Sequence, residues 1–204
     1  VMIDPKGLRE ALAGGKRLVV FLHDNPDPDA VAAGWLLANI AQHLGLAVEL
    51  VHGGTLGRAE NRAMVRLLGI RLSRLRGAFR PREGDRFALV DTQPRAGNNV
   101  FPDGLHAHAV IDHHPRRDDL DAAFADVRGD SGCTATLLLG YYQAFGLDVT
   151  PALATATFYA IFSETQDLDR EATKADRDAC LRLFPLVQLS TLGKIRHPPR
   201  ERDY

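Results

Sequence analysis

The stretch "LVVFLHDNPDPDA", residues 18–30, joins an apolar run to a turn rich in aspartate and proline. The apolar run predicts a strand that is buried on both faces, as in a parallel sheet. Asn, Asp and Pro are common turn residues, and Asp27 or Asp29 could simply cap the helix predicted to follow. Capping explains one of these acids. It explains neither His23 nor the second acid, so the turn also suggests a functional site.

Composition excludes several classes of protein. The chain has 204 residues, 45% hydrophobic and 25% charged, which is typical of one well-buried globular domain. A net charge of −1 argues against tight binding of long nucleic acid, but it does not exclude a local basic patch. The two cysteines have no metal-binding spacing, and we interpret them as reduced thiols. No apolar stretch is long enough for a membrane span or a signal peptide, so we expect a cytoplasmic protein without a membrane partner.

Strands and helices alternate along the chain. Apolar runs predict strands at 17–23, 47–52, 70–75, 87–91, 107–112 and 124–128. Helices are predicted at 29–44, 60–68, 134–145, 151–163 and 174–186. This order predicts an α/β fold: a doubly wound, largely parallel sheet with helices on both faces. Residues 1–188 form the predicted domain, and the polar, Pro-rich residues 189–204 are interpreted as a linker or tail.

The segment "SGCTAT", residues 131–136, opens the fourth predicted helix. A helix N-terminus can bind phosphate, because its first N–H groups lack partners within the helix. A plainer interpretation is that Ser131 caps the helix, and we favour it.

Three of the buried strands end on ionisable residues. The first ends at His23 and Asp24, the next at Asp91, and a third at the triplet 112–114, which reads Asp-His-His. In doubly wound sheets, ligands bind beyond the carboxyl ends of the strands, so these side chains are expected to converge there with Asp27 and Asp29. Such crowded carboxylates raise one another's pKa unless divalent cations neutralise them.

The expected ligands are oxygen and imidazole, without thiolate. This set favours Mn²⁺ or Mg²⁺ over structural zinc. Two neighbouring cations are a common device for phosphoester hydrolysis. His23 and Asp27 can then face one ion while Asp29 turns toward the second.

Four segments resemble, in order, the four motifs of the DHH phosphoesterase family. They are "HDNPDPDA" (23–30), "ALVDTQP" (88–94), "VIDHHP" (110–115) and "YAIFSETQDL" (159–168). The resemblance extends over residues 17–168 and implies a Rossmann-like DHH domain with two Mn²⁺ or Mg²⁺ ions. Within the family, it points to an oligoribonuclease or pAp phosphatase-like branch, or to an exopolyphosphatase-related one.

The resemblance also implies roles by position. His23 and Asp27 bind the first metal, Asp29 and His113 bind the second, and Asp91 bridges both. His114 contacts the substrate phosphate or supports proton transfer, and Asp112 orients a histidine.

Glu164 stands where the family most often has aspartate. We expect it to bind the second metal; the alternative is an exposed acid at a helix end. Arg116 and Arg170 are predicted to contact an anionic substrate, although Arg116 and Arg117 could equally be a solvated loop pair. Many family members have a second domain after a linker. The resemblance implies that residues 189–204 form a linker or tail toward such a domain.

The leading hypothesis is a metal-dependent phosphoesterase that cleaves small nucleotides or short oligonucleotides through attack of a metal-bound hydroxide. One alternative is a pyrophosphatase or exopolyphosphatase type of hydrolase. Another is a regulatory module that senses a nucleotide at the metal site without turnover. A metal-free interaction domain is the least favoured, because it makes every convergent acid structural. Formation of a homodimer is left open.

Overall fold

The computed structural model describes residues 3–198. The strands are β1 Arg17–Phe21, β2 Ala47–His52, β3 Ser73–Arg74, β4 Asp85–Val90, β5 Ala107–Asp112 and β6 Ala122–Val127. The helices are α1 Pro5–Leu12, α2 Pro28–His43, α3 Ala59–Leu67, α4 Thr134–Ala144, α5 Pro151–Glu164, α6 Lys174–Leu183 and α7 Leu189–Arg196. A short 3₁₀ helix, Phe184–Leu186, connects α6 to α7.

The six strands form one sheet in the order β3-β2-β1-β4-β5-β6, and every pair is parallel. The chain builds outward from β1 to β3 and then returns to place β4 on the other side of β1. The strand order therefore reverses between β1 and β4, where a crevice opens at the carboxyl edge of the sheet. The predicted α/β fold with a parallel sheet is confirmed.

Local sequence explains how the chain enters its longest helix. Pro28 occupies the first turn of α2, where its missing N–H costs nothing. The carboxylate of Asp27 accepts a hydrogen bond from the backbone N–H of Ala30 at 3.0 Å. Asp27 is therefore the N-cap of α2, as one interpretation of the turn predicts, and it also lies beside β1.

The sheet is covered differently on its two faces. On one face, Leu18, Val20 and Leu22 pack in a large apolar cluster that includes residues of all seven α-helices. On the other face, Val19 and Phe21 join a smaller cluster of strand residues and residues from the connections between strands. Helices therefore cover one face of the sheet, whereas the sequence predicted helices on both faces. The connections β3–β4, β4–β5 and β5–β6 are loops, and they cross the second face.

Aromatic rings fix those loops to the second face. Phe79 from the β3–β4 loop and Phe101 from the β4–β5 loop meet the ring of Phe21 edge-on, at centroid distances of 5.2 and 5.0 Å. Phe87 of β4 contacts both loop rings. Aromatic side chains bury enough area to cover a sheet without a helix.

Three sequence-based expectations change. Helix α1 was not predicted. Ser131 is not the cap of α4: the N-cap position is Cys133, and the Ser131 hydroxyl donates to the Cys133 carbonyl instead. Residues 189–196, interpreted as the start of a linker, form helix α7, whose Leu192 and Ile195 are buried.

The rest of the interpreted linker, residues 199–204, lies outside the described residues. Among the residues that the structure describes, no helix has the length and apolarity needed to cross a membrane.

Candidate metal centre

The carboxyl ends of β1 and β4 bring the first group of candidate ligands together. The Nε2 atom of His23 lies 3.6 Å from the nearer oxygen of Asp27 and 3.5 Å from Oδ2 of Asp91. One donor atom from each of these three residues lies within 4.8 Å of the others, close enough for a single ion. The structure thus brings together three residues that the sequence assigned to the first metal, and that role stays a prediction.

A second group lies on the other side of Asp91. The Nε2 atom of His113 is 3.4 Å from Oδ1 of Asp91, 3.9 Å from Oδ2 of Asp29 and 4.0 Å from Oε1 of Glu164. Asp91 thus directs Oδ2 at the first group and Oδ1 at the second. Its backbone has a φ of 58°, in the left-handed region, directly after β4.

The two histidines that face these acids are oriented alike. His23 places Nδ1 2.8 Å from the carbonyl oxygen of Asp24, and His113 places Nδ1 3.3 Å from the carbonyl oxygen of Ser131. When Nδ1 carries the proton and donates it to a carbonyl, Nε2 presents a lone pair to the acids. This is the tautomer that a metal-binding imidazole requires.

His114 is oriented differently. Its Nδ1 lies 2.8 Å from Oδ1 of Asp112, and its side chain is 54% exposed. Gln93 donates to the other Asp112 oxygen at 2.7 Å and accepts from the backbone N–H of Arg117. The carboxylate of Asp112 hydrogen-bonds to the ring and raises the pKa of His114 to about 9, against the opposing effect of partial burial. Because Nδ1 is engaged, Nε2 is the nitrogen left for another partner.

Donor atoms of Asp91, His113 and His114 also lie within 4.8 Å of one another. On distance alone, His114 could therefore replace Asp29 in the second group. Its hydrogen bond to Asp112 distinguishes it from His23 and His113, whose Nδ1 atoms face backbone carbonyls. The two adjacent histidines therefore have different hydrogen-bond partners, and their separate roles stay a prediction.

The start of α4 holds the two buried aspartates. Asp29 accepts hydrogen bonds from the backbone N–H groups of Thr134 at 2.8 Å and Ala135 at 2.7 Å, and from the thiol of Cys133 at 2.9 Å. The Thr134 hydroxyl donates to Oδ1 of Asp91 at 2.9 Å. The helix N-terminus therefore binds a carboxylate of the same chain, whereas the alternative considered for "SGCTAT" was a phosphate site.

The charges of this centre are poorly balanced within the protein. Burial, reinforced by the charge of Asp29, raises the pKa of Asp91 to about 7. Burial also raises the pKa of Asp29 and of Glu164. For His23, burial opposes protonation, but hydrogen bonds to Asp27 and Asp91 prevail and raise its pKa to about 11. Nearby cations would relieve this crowding, and carboxylate oxygens with imidazole nitrogens fit Mn²⁺ or Mg²⁺.

The predicted substrate-binding arginines lie outside this cluster. Arg170 is exposed and pairs with Glu171 at 3.4 Å. Arg116 is exposed and lines a pocket with Arg117, Asp118 and Asp119. Their contact with substrate stays a prediction.

Two residues of the centre were not predicted. Gln93 lies within the quoted motif "ALVDTQP" but carried no assigned role, and its link to Asp112 spans 19 residues of sequence. Thr134 reaches Asp91 across 43 residues. Only its place at the start of a predicted helix drew attention to it.

Residues 17–161 match the family model described as "DHH family, N-terminal domain". The chain is 34% identical over 182 residues to the uncharacterized protein MJ1633 of Methanocaldococcus jannaschii, covering 89% of this chain and 37% of that protein. It is 31% identical over 172 residues to a probable manganese-dependent inorganic pyrophosphatase of Deinococcus radiodurans, covering 83% of this chain and 54% of the relative.

Among solved structures, an exopolyphosphatase-related protein from Bacteroides fragilis superposes with a TM-score of 0.71 at 12% identity, over 98% of this chain and 63% of that one. This likeness supports the fold alone. The chain spans about half, or less, of the length of the two curated relatives above. Since the family model covers most of the chain, including three of the four motifs in full, the chain belongs to the DHH family.

Proposed function

We propose that this chain hydrolyses phosphoester or phosphoanhydride bonds of small phosphorylated substrates with the help of two divalent cations. Mn²⁺ is the first candidate for these cations. The observation that carries the proposal is the position of Asp91, whose two oxygens face two separate groups of candidate ligands. A carboxylate placed between two cation sites is suited to a two-metal hydrolase.

The proposed ligands follow from the distances. His23 and Asp27 hold the first ion together with Asp91. Asp29, His113 and Glu164 hold the second, again with Asp91. When bound, the pair of cations lowers the pKa of water and stabilises charge on phosphoryl oxygens. The Thr134 hydroxyl and the start of α4 keep Asp91 and Asp29 in place.

His114 is proposed to act on the substrate. Asp112 fixes its Nδ1, so the exposed ring presents Nε2 outward. The hydrogen bond to Asp112 raises the pKa of the ring and so favours a proton on Nε2, which can be donated to a phosphoryl or leaving-group oxygen. Arg116, two residues further along the exposed loop, is proposed to meet the substrate's negative charge.

Inorganic pyrophosphate is the first candidate substrate, because relatives 31% and 29% identical to this chain carry the name of probable manganese-dependent inorganic pyrophosphatases. Short oligonucleotides are the second candidate. The resemblance of the four motifs to the DHH phosphoesterase family supports this candidate. The two candidates differ in the bond cleaved, an anhydride or an ester.

Calorimetric titration of Mn²⁺ into chelator-treated protein tests the centre first. We expect two ions per chain for the wild type and for His114→Ala, and a large loss of turnover in that variant. Loss of an ion in His114→Ala would instead make His114 a ligand.

A substrate panel then tests the reaction. Phosphate release from pyrophosphate, polyphosphate and pAp, and release of nucleoside monophosphates from short RNA, are compared at equal enzyme concentration in Mn²⁺ and in chelator. Turnover of any one substrate that requires Mn²⁺ supports the proposal. Binding of two ions with tight nucleotide binding and no turnover would favour the sensing module.

A further inference from the structure

Positive charge is concentrated in one part of the chain. Residues 58–82 contain eight arginines and one acid, Glu60, whereas the rest of the chain has 17 Lys and Arg against 25 Asp and Glu. We name these eight residues the arginine face: Arg58, Arg62, Arg66, Arg71, Arg74, Arg76, Arg80 and Arg82. The net charge of −1 therefore conceals a strongly basic segment in an otherwise acidic protein.

The fold gathers this segment around one edge of the sheet. Strand β3 is the outermost strand, α3 precedes it and the β3–β4 loop follows it. Arg58 is the N-cap of α3, and Arg62 and Arg66 lie four residues apart within α3, on the same side of the helix. All eight side chains are exposed.

The arginines are not used in ion pairs within the part of the chain that the structure describes. Elsewhere, Arg17, Arg95 and Arg117 each pair with an aspartate within 4.0 Å, but among the described residues no guanidinium group of the face lies that close to a carboxylate. The backbone N–H of Arg82, by contrast, donates to Asp85 at 2.8 Å. Arg62 donates to the carbonyls of Leu56 and Gly57, which stabilises the turn into α3. Eight exposed guanidinium groups in one segment of 25 residues, without carboxylate partners, favour a polyanionic partner.

The segment that carries the face contacts the turn between β1 and α2. Asn61 of α3 donates to the carbonyl of Pro26, in the turn between His23 and Asp27. The backbone N–H of Thr55, just before α3, donates to the side chain of Asn25 in the same turn at 2.7 Å. These two hydrogen bonds attach the start of the arginine-rich segment to the turn that holds His23 and Asp27.

We propose that the arginine face binds the phosphate backbone of a nucleic acid strand. Arginine forms paired hydrogen bonds with phosphate, and all eight basic residues of the segment are arginine. The single aromatic residue of the segment, Phe79, packs in the core instead of offering a stacking surface. The contacts are therefore to phosphates, and binding is independent of base sequence.

A membrane fits this surface less well. Interfacial binding combines basic residues with apolar side chains that insert among the lipids. In the segment, Leu67 is the large apolar residue that is exposed, at 39%, while the more exposed Leu181 and Leu189 lie elsewhere. Inorganic polyphosphate also fits this surface less well than a nucleic acid strand, because it is a thin chain and the arginines extend over a helix, a strand and a loop.

The proposal goes beyond the proposed function, and binding can be measured without turnover. Fluorescence anisotropy with a short labelled RNA of mixed sequence is recorded in chelator, which prevents hydrolysis. The triple variant Arg66→Gln, Arg71→Gln, Arg76→Gln removes three exposed guanidinium groups for which the structure gives no contacts. A control triple variant, Arg9→Gln, Arg177→Gln, Arg182→Gln, makes the same change in charge far from the face along the chain.

We expect the face variant to bind RNA at least about tenfold more weakly than the wild type. The slope of log K against log salt should become smaller in magnitude by about two, since three phosphate contacts are removed and each single-strand contact contributes about 0.7. The control variant should bind like the wild type, and RNA and DNA of different sequences should bind alike. If the triple variant is unstable, single substitutions of Arg71 or Arg76 by Gln are measured instead. Each should weaken RNA binding by a smaller amount.

Three results would overturn the proposal: no RNA or DNA binding by the wild type, equal loss in the control variant, or binding only to polyphosphate or to anionic vesicles. Hydrolysis of a small substrate by the face variant should be unchanged. Failure of the proposed function would appear as absent turnover in the wild type and would leave the binding result intact.

Discussion

Strand β4 carries an aspartate at each end, and the two behave in opposite ways. Asp85 begins the strand and Asp91 follows its last residue, with side chains only 2% and 3% exposed. Arg17 holds both oxygens of Asp85, at 2.8 and 2.6 Å, and lowers its pKa despite burial. At Asp91, burial and the charge of Asp29 raise the pKa to about 7.

The difference lies in what neutralises each charge. At the amino edge of the sheet, Arg17 also pairs with Glu49 at 2.9 Å, so the chain supplies its own cation. At the carboxyl edge, Asp91 is surrounded by further acids and by histidines whose Nε2 atoms face inward. One end of β4 therefore stabilises the fold, while the other end has the charge balance of a site made for metal ions.

The largest expected effect follows from Asp91→Asn. We expect Mn²⁺ binding to be lost from both groups, and turnover to fall at least about a thousandfold, because bound metal ions contribute several kcal/mol to transition-state stabilisation. Calorimetry and phosphate release measure these losses. In chelator, the melting temperature should not fall, since the raised pKa of Asp91 shows that the folded protein disfavours the charged carboxylate, and the substitution removes that charge. Two bound ions in this variant would remove the bridging role.

Asp85→Asn should have the opposite profile. It leaves the guanidinium of Arg17 without its bidentate partner, and we expect the free energy of unfolding to decrease by about 2 to 3 kcal/mol, as for hydrogen bonds to charged groups. Denaturant unfolding measures the change. The number of bound Mn²⁺ ions should stay the same as in the wild type. A loss of metal in this variant would show that the two ends of β4 are coupled.

Thr134→Val sharpens the comparison by loosening Asp91 without changing its charge. The substitution removes the hydroxyl that donates to Oδ1 of Asp91, so we expect Mn²⁺ to bind about 10- to 100-fold more weakly, as for other residues that orient metal ligands. Thr134→Ser keeps the hydroxyl and should restore affinity.

Thr136 provides the matched control for that experiment. On the same helix, its hydroxyl donates at 2.6 Å to Asp176, a buried acid at the start of α6. Thr136→Val should lower stability and leave Mn²⁺ affinity unchanged. Equal weakening of Mn²⁺ binding in both valine variants would indicate a general loss of structure.

The smallest effect is the pH dependence of the Asp85 contribution. Its pKa in the folded protein lies below the ordinary value of 3.8, so the folded state loses this proton more readily than the unfolded state. The stabilisation is therefore complete above that ordinary value and is lost as the pH falls through the lower, folded pKa. The difference in unfolding free energy between wild type and Asp85→Asn, measured in chelator, should shrink only in that acidic range. A difference that declined already near neutral pH would contradict this assignment.

The sequence by itself determined the parallel α/β fold and most of the candidate centre. Apolar runs that end on His23, Asp91 and residues 112–114 predict buried strands whose polar ends meet, because parallel strands share one carboxyl edge. The same property lets short motifs, separated by tens of residues, indicate one site. Periodicity and turn chemistry are local signals, and they place most helices and strands within a few residues.

The tertiary structure alone decided how those side chains are held. Asp29 faces the start of α4, more than 100 residues away, and Gln93 turns toward Asp112, contacts that no local pattern encodes. The cover of the second face was decided in the same way, since Phe79 and Phe101 are loop residues until the sheet places them against Phe21. Burial and the distance between charges arise only when distant segments pack, and they separate the pKa values of two aspartates on one strand.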